Sequence, residues 1–305
     1  MIEAAVIVLR LLQYATGAIL MGSALFALYA LPRHGAHSAT DNPWLRPLLV
    51  FAALVLGVSA GLGLLAQTIV LAGSFEAGLT PDALQGVVSG MSLGLAAVVR
   101  VVAAFIALLL LVTAGQSQAL WPLSAAAGIV AVATFGWMGH GADTEAEAGL
   151  YHLAADVLHA LTAAAWIGAL VAFVFLFRQR ADLSTVHNAL RRFSQIGVPL
   201  VAVLVLTGLV NSWFLVGPDN LAGLFTTPYG RLLLAKLGMF AGMLVLAALN
   251  RNRHTPAIEA SLSSHEPSPM ITARLRRSIA LEAALGLGVL GVVAWFGTLA
   301  PPASG

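Results

Sequence analysis

The chain contains no cysteine. That excludes disulfides, thiolate metal sites and cysteine-based redox chemistry. Charge is almost as scarce: 9% of the 305 residues are Asp, Glu, Lys or Arg, where a soluble domain carries roughly a quarter. A soluble globular fold is therefore excluded. There is no phosphate-binding glycine loop, no HExxH pair and no hydrolase motif. Nothing could hold a nucleotide, so an ATP-driven pump is excluded, and the chain reads as a non-enzyme. The net charge of +2 comes from Arg residues at helix ends rather than from a nucleic-acid-binding surface. A basic leader is also missing. Met1-Ile2-Glu3 has no positive n-region and Arg10 interrupts the first apolar run, so no signal peptide is expected.

What is present is hydrophobic. Apolar residues make up 59% of the chain, and mean hydropathy is +0.92. Eight runs are long enough to span a bilayer: about 6–31, 46–72, 92–114, 119–139, 151–177, 194–216, 230–250 and 275–299. No strand-like alternation competes with them. The expected fold is an all-α bundle of eight transmembrane helices in one polytopic domain. Gly57 and Gly61 fit close helix packing. Segment 73–91 is too polar to span, and Pro81-Asp82 can open a short interfacial helix. Segment 251–273, rich in Ser, Pro and His, is expected to be flexible.

Arg33 and Arg46 follow the first span. Arg178, Arg180, Arg191 and Arg192 follow the fifth, and Arg251, Arg253, Arg274, Arg276 and Arg277 follow the seventh. The opposite loops carry Glu76, Asp82, Asp143, Glu145, Glu147 and Asp219. The positive-inside rule then places both termini outside, in the periplasm of a bacterium.

Three polar side chains on the fifth span share one helical face: His152, Asp156 and His159. Ionisable groups are costly at membrane depth and mark ion paths, metal sites or paired networks. A His-carboxylate-His stripe is a partial ligand set for a transition metal. Arg10, Arg100, Asp156, His159 and Lys236 all sit on the order of 5–15 Å below the outer surface. Asn211, Gln67 and His140 lie near outer helix ends, whereas Glu282 is nearer the cytoplasm. The polar set thus concentrates in the outer half. Asp156 can pair with only one of Arg10, Arg100 and Lys236, which leaves positive charge to be met by water, carbonyls or an anion. Arg10 shares a face with Tyr14 and Met21, and Lys236 with Tyr229 and Met243. Met138 and His140 end the fourth span. Met sulfur and His nitrogen suit Cu(I) and Cu(II) respectively. Asp143, Glu145 and Glu147 could funnel cations, and His34 and His37 could form an exit site.

The runs HLAADVLHALTAAAWIGAL (His152 to Leu170) and RRFSQIGVPLVAVLVLTGLVNSW (Arg191 to Trp213) resemble the CopD family of copper-resistance membrane proteins. So do TTPYGRLLLAKLGMFAGMLVLAALNRNRHTP (Thr226 to Pro256) and RSIALEAALGLGVLGVVAWFGTLAPP (Arg277 to Pro302). The first half matches more loosely, through Arg10 and the ending Phe26-Ala-Leu-Tyr29. The resemblance implies an eight-helix inner-membrane protein for copper uptake or handling, supplied by a periplasmic carrier of the CopC type. It implies a copper region at His140, His152, Asp156 and His159, with Lys236, Asn211 and Glu282 as further polar positions of the family pattern. Some relatives carry a fused CopC-like domain. This chain has none, so the expected carrier is a separate protein. It also lacks a Met-rich loop. Two other readings compete: a haem- or quinone-binding electron-transfer protein, and a non-enzymatic scaffold or sensor docking a periplasmic partner through 73–91 and 217–229.

Overall fold

The computed structural model describes residues 2–31, 42–113, 120–139, 146–179, 181–264 and 269–304, and regular structure there is helical throughout. Eight helices are long and apolar enough to cross a membrane. They are α1 (Ile2–Ala30), α2 (Leu45–Ala72), α3 (Ser92–Thr113), α4 (Trp121–Met138), α5 (Ala148–Arg178), α6 (Leu183–Leu215), α7 (Pro228–Ser263) and α8 (Pro269–Phe296). Only helices satisfy their own backbone polar groups in lipid, so an apolar chain without strand patterning has this one solution. The chain is a multi-pass membrane protein.

Helix ends depart from the apolar runs where polar caps extend them. α6 begins at Leu183 because Asp182 accepts hydrogen bonds from Ser184 N at 3.1 Å and Thr185 N at 3.4 Å. The Ser184 hydroxyl also donates to Asp182 and holds its carboxyl below the usual range. The segment 73–91 forms two short helices, Phe75–Gly78 and Pro81–Gly90, capped by Ser74 and Thr80. Residues 251–263 and 269–273 of the segment expected to be flexible are helical. α7 continues through a π-helical turn, Asn250–His254, into Thr255–Ser263, and Pro269 opens the next helix. Pro256 follows the π-helical turn directly, and Ile258 is fully buried.

α5 is the central helix: 61% of its apolar window is buried, against 11% for α6 and for α7. Large side chains such as Phe51, Phe105, Leu206 and Trp213 point outward, as a lipid-facing surface requires. α1 and α5 cross with their backbones in contact. A Cβ on Gly168 would run into the Ala18 carbonyl and Gly22, and one on Gly22 would strike the Ala164 carbonyl. Ser23 Oγ donates to Gly168 O at 2.7 Å across the same crossing. Here α1 loosens into a π-helical turn, Ile19–Ser23, and Gly128 of α4 lies against Met21 on its other side. The close packing read at Gly57 and Gly61 is absent. A Cβ at Gly57 would meet Ala104 at an ordinary 3.6 Å, and nothing lies within 4 Å of one at Gly61.

Gly168→Val is therefore expected to destabilise the bundle by more than the ~1–3 kcal/mol usual for overpacking, because the obstacle is backbone. Gly61→Ala should stay within about 0.5 kcal/mol of the parent. Thermal unfolding in detergent compares the two. Equal stability of both variants would contradict the crossing.

Candidate metal site at one end of the bundle

A cavity of about 200 Å³ opens between α1, α4, α5, α6, α7 and α8. The polar groups on its wall are Arg10, Tyr14, Asp156, His159, Asn211, Tyr229 and Lys236, with Met138 beside them. They come from the first halves of α1, α5 and α7 and the last turns of α4 and α6, so all sit at one end of the bundle.

His159 Nδ1 lies 3.0 Å from Thr207 Oγ1. The Thr207 hydroxyl already donates to Val203 O at 2.6 Å. With the hydroxyl donating there, its oxygen is left to accept from the imidazole, an arrangement in which Nδ1 carries the proton and Nε2 keeps its lone pair. This is the tautomer a metal ligand needs. Asp156 Oδ1 accepts from Asn211 Nδ2 at 2.6 Å, while Asn211 Oδ1 is buried without a hydrogen-bond partner. Thr207 and Asn211 stand one turn apart on α6 and orient His159 and Asp156 respectively. Gly139 closes the end of α4 against this carboxylate: a Cβ there would lie 3.5 Å from Asp156 Oδ2.

Arg10, at this end, is satisfied by backbone carbonyls. Arg10 donates from Nη1 to Gly297 O at 2.6 Å and from Nη2 to Met138 O at 3.1 Å. It thereby meets the orphan carbonyls at the ends of α8 and α4. Lys236 Nζ stands 5.7 Å from the centre of the Phe296 ring. Arg100 is 2% exposed and stands away from this cavity. Its Nε donates to Thr134 Oγ1 (2.8 Å), Nη1 to Gln13 Oε1 (2.6 Å) and Nη2 to Thr134 O (2.9 Å), and it covers the Phe135 ring at 4.8 Å. Gln13 in turn donates to Ser59 O at 3.2 Å. Arg100 thus ties α1, α2, α3 and α4 together.

Of the residues singled out in the sequence, Asp156, His159, Asn211, Lys236, Arg10 and Met138 meet at this cavity. His152 shares their helix but not their cavity. It is buried with its ring stacked on Phe214, centroids 4.6 Å apart. His152 faces α6, as Asp156 and His159 do, but it lies one turn nearer the start of α5 than Asp156. Met21 is buried in the α1–α4–α5 contact, and Met243 packs near Gly286. Glu282 lies midway along α8, outside this cavity. His140, Asp143, Glu145, His34 and His37 lie outside the described residues. Among the described residues no three His, Asp and Glu side chains gather into a metal cluster. Thr207 was not singled out in the sequence, although its place four residues before Asn211 puts both on one face of α6.

Arg100→Lys keeps the charge and loses the fork that reaches Thr134 and Gln13 together. It is expected to cost roughly 1–3 kcal/mol in thermal stability and to leave metal binding by the folded fraction unchanged. A stability equal to the parent's would contradict the network.

Comparison with known proteins places this architecture. The family model "Copper resistance protein D-like, N-terminal domain" matches residues 1–150, and "Copper resistance protein D" matches residues 187–296. The chain is 35% identical to copper resistance protein D of Pseudomonas syringae pv. tomato, over 97% of this chain and 96% of that protein. It is 31% identical to copper transport protein CutJ of Bacillus subtilis (strain 168), over 48% of this chain and 25% of that protein. No solved structure matches the chain significantly. With both halves matched in order and a relative aligned almost end to end, the chain belongs to the copper resistance protein D family.

Proposed function

We propose that this protein takes up copper across the bacterial inner membrane and that the ion, as cargo, first binds in the cavity at Asp156 and His159. The observation that carries this reading is the Thr207-fixed imidazole of His159, whose Nε2 lone pair is available beside a carboxylate in a polar cavity. Copper accepts imidazole nitrogen, thioether sulfur and carboxylate oxygen. Met138 lines the same wall. His140 follows Gly139 in the sequence and is the further donor this reading calls for. His152 stacks behind the site and takes a supporting part rather than a ligand position.

The cavity end is the one opposite the Arg-rich segments that follow α5 and α7. With those segments cytoplasmic, the cavity faces the periplasm and both termini lie outside. Copper then arrives from a separate CopC-like periplasmic carrier. Lys236 lines the same cavity as Asp156 and is its counter-charge when no metal is present. An incoming Cu(I) ion takes over that role as Lys236 releases its proton, so the net charge of the site is the same empty and filled.

Asp156→Ala and His159→Ala are each expected to lower copper uptake by reconstituted vesicles at least tenfold, with the folded yield unchanged by size-exclusion chromatography. Parental uptake in both variants would overturn the assignment. Thr207→Val keeps the volume and removes the acceptor for Nδ1–H. It should weaken copper affinity ~10–100-fold, whereas Thr207→Ser should restore it. A competition titration against a copper chelator separates the two outcomes.

A further inference from the structure

The buried carboxylate that the copper cavity does not use is Glu282 of α8, which is 1% exposed. Its Oε1 accepts from Trp166 Nε1 at 2.9 Å and its Oε2 from Asn250 Nδ2 at 3.0 Å. Both donors are neutral. Among the described residues no cation lies within 4 Å of it; the ion pair found there is His187–Glu259. Asn250 opens the π-helical turn of α7 and is itself 8% exposed, and its Oδ1 is buried with no hydrogen-bond partner. π-helical turns recur at functional sites. These side chains line a second cavity, about 580 Å³, enclosed by α5, α6, α7 and α8 and otherwise mostly apolar.

An ionised carboxylate with no counter-ion in such a place is strongly disfavoured. Its occupant must therefore carry positive charge. Oxygen acceptors select a hard cation, not copper, whose preferred ligands here line the other cavity. A bare metal ion would want about six oxygens, whereas Glu282 and Asn250 bring three. A proton needs one oxygen and one acceptor, and Asn250 can supply either partner. With Glu282 ionised, its amide NH2 donates to Oε2. With Oε2 protonated, the same amide turned end for end accepts the new O–H at Oδ1.

The other groups around Glu282 do not compete for this proton. α5 presents Trp166 and α6 presents Ser194, neither of which titrates in this range. α7 presents Arg251, which is exposed at the cavity's edge. His187 of α6 and Glu259 of α7 pair with each other at 3.9 Å outside the lining. α1 meets α8 through Arg10, at Gly297, the far end of that helix.

Trp166 makes the site more than an isolated acid. It lies seven residues beyond His159 on α5, and its neighbour Ile167 lines the copper cavity while Trp166 itself lines the second one. The wall between the two cavities is therefore held by a hydrogen bond to Glu282. We propose that Glu282, Asn250 and Trp166 form a proton-binding site that couples proton movement to the opening of this wall. The coupling half of this proposal rests on copper passing through the first cavity; the proton site does not.

Infrared titration of the purified protein in lipid, without copper, tests the site directly. A protonated-carboxyl C=O band is expected that titrates with pH, is lost in Glu282→Gln and shifts in Asn250→Leu and in Trp166→Phe. Asn250→Leu and Trp166→Phe keep the carboxyl, so the site stays readable should Glu282→Gln fold poorly. A spectrum unchanged by all three variants would overturn the proposal. So would bleaching of the band by sodium at fixed pH, which would assign a metal cation instead. In vesicles, an imposed pH gradient should change the parental copper uptake rate several-fold and that of Glu282→Gln not at all. An equal response in both would remove the coupling. Absence of any parental uptake with the band intact would sink the copper reading and leave the proton site standing.

Discussion

Everything in this bundle hangs on the contact between Gly22 and Gly168. Helices in lipid gain nothing from hiding apolar surface from water, so they associate through van der Waals contact and short polar bridges. Backbone-to-backbone approach of α1 and α5 gives the first, and Ser23 to Gly168 O gives the second. The π-helical turn Ile19–Ser23 fits α1 into the notch between Gly128 and Gly168. That crossing fixes the rotation of α5 about its own axis. The rotation in turn decides which residues of the polar stripe face the cavity and which face a neighbouring helix.

The second constraint is electrostatic. Arg10 takes helix-end carbonyls, Arg100 takes Gln13 and Thr134, and Lys236 stands over an aromatic face. Asn211 donates to Asp156, and Asn250 and Trp166 donate to Glu282. A carboxylate held by neutral donors, as Glu282 is, remains responsive to an incoming ion, whereas a closed salt bridge would have answered its charge already.

The spans were legible because apolar length is a one-dimensional property, and the helices found differ from the apolar runs mainly at polar caps such as Asp182. The stripe on α5 was legible as far as Asp156 and His159, which share a cavity. His152 lies on the same face but stacks on Phe214 outside that cavity, since spacing fixes a face and not the depth at which a cavity opens. Gly57 and Gly61 looked like a close-packing pair but are only a local pattern. The pair that does pack, Gly22 with Gly168, is separated by most of the first half of the chain and leaves no local trace. The helix over residues 251–263 was not legible because Ser, Pro and His suggest disorder, whereas burial of Ile258 is visible only in three dimensions. Thr207 escaped notice because a single threonine in an apolar helix looks like packing until its hydroxyl is seen between Val203 O and His159.

Asp156 and His159 belong to the most enclosed helix of the bundle, but the residues that aim them, Asn211 and Thr207, belong to α6, one of the most lipid-exposed. α6 also carries Pro199 in its interior. Proline donates no backbone hydrogen bond there, so the helix is softest between its two ends. The aiming residues therefore ride on an element that responds to bilayer thickness and lateral pressure, while the residues they aim do not. For copper bound there as proposed, lipid composition would be a determinant of its geometry, and affinity a property of the protein and its membrane together.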